Sequence, residues 1–142
     1  MLRSALLAAV FAAGFATAAS AATMQFQAKM NGASEVPPTQ SAATGDVLAT
    51  LDTTSKVLTY TVTFNNLTGP AAAAHFHGPA AAGANAGVAV PIGGASPTSP
   101  VHGTATLTDA QIADLEAGKW YANVHTAANK GGEIRGQVMM VK

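Results

Sequence analysis

All four histidines of the chain, His75, His77, His102 and His125, fall between positions 75 and 125. His75 and His77 are two apart. On a β-strand, residues i and i+2 point to the same face, so both imidazoles can converge on one point. Neutral imidazole suits copper and zinc, and a His-x-His pair on a strand is a natural base for such a site. His125 sits on a second strand and can join the pair, and His102 is the least certain fourth member. Imidazoles alone, without carboxylate or thiolate, favour copper first and zinc second over calcium, magnesium or an iron–sulfur cluster. The alternative is a hydrogen-bonded rim in which the same rings donate to backbone carbonyls and hold no metal.

Two charged residues stand close in sequence to this set, in a chain only 10% charged. Glu133 can accept from a ligating imidazole and fix its orientation, in the manner of an outer partner. Arg135 can guide a small anion toward a bound metal, because a fixed guanidinium is a permanent positive charge. Being two apart, Glu133 and Arg135 can equally form a surface ion pair worth about 0–1 kcal/mol.

The elements that must position these groups read as strands. Met24 to Met30 alternates, with Met24, Phe26, Ala28 and Met30 on one face, the mark of a half-buried strand. Gly45 to Asp52 and Val57 to Phe64 form a hairpin across Thr53-Thr54-Ser55-Lys56. Ala71 to His77 is a strand of small residues ending in the His-x-His pair. The Gly-, Pro- and Ala-rich stretch from Gly78 to Pro100 reads as a long loop with one short strand near Val88 to Ile92, and Val101 to Leu107 as another strand. Thr108 with Gln111 makes a capping box, and Gly118 is a C′ residue, which predicts one helix of two to three turns between them. Lys119 to Val141 reads as two strands around the Asn129–Gly132 turn, with Trp120, Ala122 and Val124 alternating with Tyr121, Asn123 and His125. Seven to eight short strands with turn signals between them predict an all-β, antiparallel sandwich or barrel with one short helix.

Four of these segments also carry a family resemblance. They are Asn31-Gly32-Ala33-Ser34-Glu35-Val36-Pro37-Pro38, Ala74-His75-Phe76-His77-Gly78-Pro79, Leu107-Thr108 through Leu115-Glu116-Ala117-Gly118, and Tyr121-Ala122-Asn123-Val124-His125-Thr126 with Gly131-Gly132-Glu133-Ile134-Arg135-Gly136-Gln137. Together they resemble the chordin-type (CHRD) domain, as in its bacterial stand-alone secreted members. The resemblance implies a secreted β domain and, by analogy with the animal members, a protein-interaction module. The His-x-His strand with two later histidines is also similar to the copper site of Cu/Zn superoxide dismutase, which implies a copper oxidoreductase acting on superoxide. That likeness is partial, because the cysteine pair and the zinc-site segment are absent.

Residues 1–22 read as an export signal: Arg3, an apolar run from Ala5 to Phe15, and small residues at Ala19-Ser20-Ala21-Ala22. The run is too short to span a bilayer, which takes about 20 residues. The expected mature domain is 23–142, secreted or periplasmic, with cleavage after Ala21 or Ala22. Without Arg3, six basic and seven acidic residues remain. That is no footprint for nucleic acid or anionic lipid. No cysteine is present, so thiolate metal sites and cysteine nucleophiles are excluded. Nor is there a Gly-x-Ser-x-Gly elbow or a phosphate loop. Three readings stay open: a secreted metal-binding domain, monomeric or homodimeric; a superoxide-directed copper enzyme; and a metal-free interaction module.

Overall fold

The computed structural model of the protein describes residues 22–142. The expected export signal lies outside the described residues, apart from its last position, Ala22. Eight strands and one helix follow in order: β1 Thr23–Asn31, β2 Thr44–Asp52, β3 Val57–Asn65, β4 Ala71–His77, β5 Val88–Pro91, β6 Val101–Thr106, α1 Asp109–Glu116, β7 Trp120–Thr126 and β8 Ile134–Met140. All neighbours pair antiparallel in a single sheet of order β5-β4-β7-β8-β1-β2-β3-β6. The sheet curls almost into a barrel. Its two ends approach where Tyr60 of β3 meets Phe76 of β4 edge-on at 5.2 Å. The Tyr60 hydroxyl also donates to the Pro91 carbonyl of β5 at 3.3 Å.

The expected all-β class, with its one short helix, is thus the observed one. Alternation is what builds it. Phe26, Ala28 and Met30 of β1, Val47, Ala49 and Leu51 of β2, and Leu58, Tyr60 and Val62 of β3 are buried inside, while Thr59 and most of their other neighbours stay outside. The β2–β3 hairpin turns at Lys56, whose φ is 60°. At α1 the Thr108 side chain accepts from Gln111 N, and Gln111 returns a side-chain acceptor to Thr108 N. Gly118, with φ of 68°, ends the helix by a pair of bonds, Gly118 N to Leu115 O and Lys119 N to Asp114 O, the arrangement that satisfies the last carbonyls of a helix. The helix thereby sets Leu115 into the core and delivers the chain to β7.

Candidate metal centre

The central strand β7 carries two kinds of face. Trp120, Ala122 and Val124 point into the core, and Tyr121, Asn123 and His125 point outward. The outward set is nevertheless shielded, because residues 84–86 fold back over it. Ala86 N donates to the Tyr121 hydroxyl at 3.1 Å. Arg135 of β8 donates from Nη1 to Asn85 Oδ1 at 2.9 Å and from Nη2 to Ala84 O at 2.6 Å. Asn85 Nδ2 then reaches Val36 O at 3.0 Å. The strands β4, β7 and β8 are therefore covered on both sides, the outer cover being polar.

In this layer lie His75 and His77 of β4 and His125 of β7. Pairing sets His75 opposite Asn123 and His77 opposite Tyr121. The nearest imidazole nitrogens, His75 Nδ1 and His125 Nε2, are 3.1 Å apart. The three rings each offer a nitrogen within 4.8 Å of the others. Metal–nitrogen bonds of about 2.0–2.1 Å, at angles of about 90–110°, give ligand–ligand edges of about 2.9–3.4 Å, so the 3.1 Å pair already has the spacing of a coordination edge. The tautomers suit the task. His125 Nδ1 donates to Lys130 O at 2.9 Å, leaving its Nε2 lone pair for a cation. His77 Nδ1 donates to Ala86 O at 3.0 Å. Such backbone partners fix ring orientation and basicity.

Burial pulls the His75 pKa down, and the neighbouring His125 and His77 add to it. Burial also lowers His77, more than its bonds to Ala86 and Asn123 raise it. Both shifts favour the neutral ring that a metal requires. A transition metal therefore fits the donor set: nitrogen-only, neutral and close-spaced.

Other residues singled out in the sequence lie elsewhere. His102 is exposed on β6, the far edge of the sheet order, and its Nδ1 bonds Thr61 at 3.0 Å; the structure does not bring it to the other three. Glu133 turns away from every imidazole. Its carboxylate accepts from Ser41 Oγ, Thr68 N, Thr68 Oγ1, Thr126 Oγ1 and Asn129 Nδ2 at 2.6–3.3 Å. Nor does it form a surface ion pair with Arg135: both are buried, and the Arg135 guanidinium bonds Asn85 and Ala84 instead. Arg135 is no exposed anion guide: the residue is 1% exposed, with Cζ 3.4 Å from the centre of the Tyr121 ring, a cation–π contact. His77 stacks on the opposite face of that ring, 4.8 Å between centroids and 4° from parallel. Three residues that sequence reasoning missed complete the layer: Tyr121, Asn123 and Glu35. The first two share the outward parity of His125, a signal present in the alternation. Glu35 carries no such signal, since it arrives from an irregular Pro-rich loop.

No curated protein and no solved structure matches the chain. The family model for the CHRD domain matches residues 26–138. That span runs from β1 into β8 and includes all three clustered imidazoles, and the chain accordingly belongs to the CHRD domain family.

Proposed function

We propose that the protein is exported and captures one transition-metal ion at His75, His77 and His125, copper in preference to zinc. One observation carries the reading: three imidazoles offer nitrogens within 4.8 Å of one another, two of them 3.1 Å apart. Divalent copper stands above zinc in the affinity order for nitrogen sites, and an all-imidazole set offers nothing to the hard cations. Backbone carbonyls face the second nitrogens of His77 and His125 and hold those rings in place, which suits capture, and capture rather than turnover is the proposed role.

The test is titration of chelator-stripped protein with Cu(II) and with Zn(II), read by calorimetry. One equivalent of each should bind, copper the tighter. Absence of saturable binding by either metal rejects the reading. Export is supported by the Arg3, Ala5–Phe15 and Ala19–Ala22 pattern. N-terminal sequencing of the protein from the extracytoplasmic fraction should start at Ala22 or Thr23, and a retained Met1 rejects export by cleavage.

A further inference from the structure

The hydrogen-bond inventory of His77 leaves an imbalance. Its Nδ1 faces the Ala86 carbonyl at 3.0 Å and its Nε2 faces Asn123 Oδ1, also at 3.0 Å. A neutral imidazole has one N–H for these two oxygens. With Nδ1–H given to Ala86, the Nε2 lone pair points at another acceptor with nothing between them. A second ring proton would put a charge on a side chain only 9% exposed, which burial disfavours. Rotating the amide to present Nδ2–H instead would cure the clash, but would turn Oδ1 toward the Glu35 carboxylate. Asn123 Nδ2 and Glu35 Oε1 both border the bare Cα of Gly132: a Cβ there would sit 2.7 Å from Nδ2 and closer still to the carboxylate oxygen. Glu35 is 4% exposed, and its Oε1 closes no hydrogen bond of normal geometry among the described residues. A carboxylate accepts only, so it keeps the NH2 end of the amide on its own side and turns Oδ1 toward the imidazoles.

Resting on the metal-capture reading, we propose that Asn123 is the fourth donor of that site, its Oδ1 joining His75 Nδ1, His77 Nε2 and His125 Nε2, and that Glu35 is the positioning residue which aims it. The two edges, 3.1 Å for His75–His125 and 3.0 Å for His77–Asn123, both match the ligand–ligand spacing of a four-coordinate ion. A cation between Nε2 and Oδ1 replaces an acceptor–acceptor contact by two bonds. Pairing places Asn123 directly across from His75 on the neighbouring strand, and its Oδ1 already faces His77 Nε2, so the fourth donor comes from the same two strands as the imidazoles. A neutral oxygen beside three imidazoles leaves the ion its full double charge and suits Cu(II) and Zn(II) over Cu(I), which prefers softer donors.

The experiment measures Cu(II) affinity by chelator competition, together with the Cu(II) electron paramagnetic resonance spectrum, on wild type, Asn123→Ala, Asn123→Asp and Glu35→Gln. Thermal melts of the metal-free proteins verify folding. Asn123→Ala should weaken binding by at least about 10–100-fold, the cost already of losing a partner one step removed from the metal, and change the copper hyperfine pattern. Asn123→Asp keeps an oxygen toward the ion but sets a second carboxylate beside Glu35, so its affinity should fall less than that of Asn123→Ala. Glu35→Gln frees the amide to turn and should weaken binding about 10-fold. Should Asn123→Ala fail to fold, Asn123→Asp and Glu35→Gln decide. Wild-type affinity and an unaltered spectrum in Asn123→Ala, or in Glu35→Gln if only that variant folds, overturn the assignment while leaving the three-histidine site standing. A wild type that binds no metal overturns the reading on which it rests.

Discussion

Replacement of His75 and His77 together by alanine should abolish saturable Cu(II) binding while leaving the fold intact. Both rings lie on the outer face of β4, away from the Phe76 side of the strand that packs in the core, so their loss removes ligands without opening a cavity there. Partners one step removed from a metal are already worth about 10–100-fold in affinity, and two direct ligands compound beyond that. His102→Ala should leave affinity unchanged, because that ring sits on β6 against Thr61. Calorimetric titration of the double and single variants is the check; retained binding in the double variant would overturn the site. Binding should also weaken with acid. The His75 and His77 pKa values both lie below the ordinary 6.5. Protons therefore compete for their lone pairs only as the pH falls below about 6.5, and affinity should hold level above that value.

Glu133→Ala should cost about 3–5 kcal/mol of folding stability, in the range expected when a buried charged network loses its acceptor. Five donors converge on this fully buried carboxylate from three places: Ser41 before β2, Thr68 between β3 and β4, and Thr126 with Asn129 at the β7–β8 turn. Thr39 Oγ1 adds a bond to the Glu133 carbonyl at 2.7 Å. Each buried donor left unpaired costs about 1–3 kcal/mol, less where water can enter. Against the usual total of about 5–15 kcal/mol the variant stands near the edge of folding. Urea denaturation monitored by Trp120 fluorescence reads the loss, and a difference below about 1 kcal/mol would refute the hub. Burial alone would push the Glu133 carboxyl up, but bonds from Ser41, Thr126 and Thr68 outweigh it and hold the pKa at about 2. The folded pKa is depressed, so this stabilisation is complete above about 4.5 and disappears as the pH falls toward 2. Glu133→Gln should flatten that part of the acid profile.

How much of this was legible beforehand depended on range. The strands follow from alternation, and the helix from Thr108, Gln111 and Gly118, because those signals are local. The grouping of His75 with His77 is equally local. That His125 joins them and His102 does not depends on β7 lying beside β4 while β6 lies at the opposite edge, and strand order is not written in periodicity. The fate of Glu133 and Arg135 was hidden for a related reason. Their spacing is that of a solvated strand, but loops from residues 39–41, 66–68 and 84–86 arrive to cover them. A carboxylate that tethers loops and one that supports a ligand look the same until those loops are placed. Asn123 has the parity of a site residue, yet an amide becomes informative only once Glu35 is seen at its other end.

The pairing of β4 with β7 has a bulge between Ala71 and Ala73, and this makes the chain unequally tolerant of changes in length. Side chains alternate every residue, so a slip of one exchanges the two faces of a strand. The bulge absorbs one such step: Ala71 and Ala74 are both buried although they lie three positions apart. Removing Ala72 would straighten the strand and disturb only its beginning. Removing Ala74 would instead turn both imidazoles into the core and set Phe76 in the polar layer, if the rest of the pairing held. All four histidines would survive such a deletion with no site left for them. Sequence comparisons that score residue identity alone would miss that loss, whereas counting odd and even positions from the bulge would reveal it.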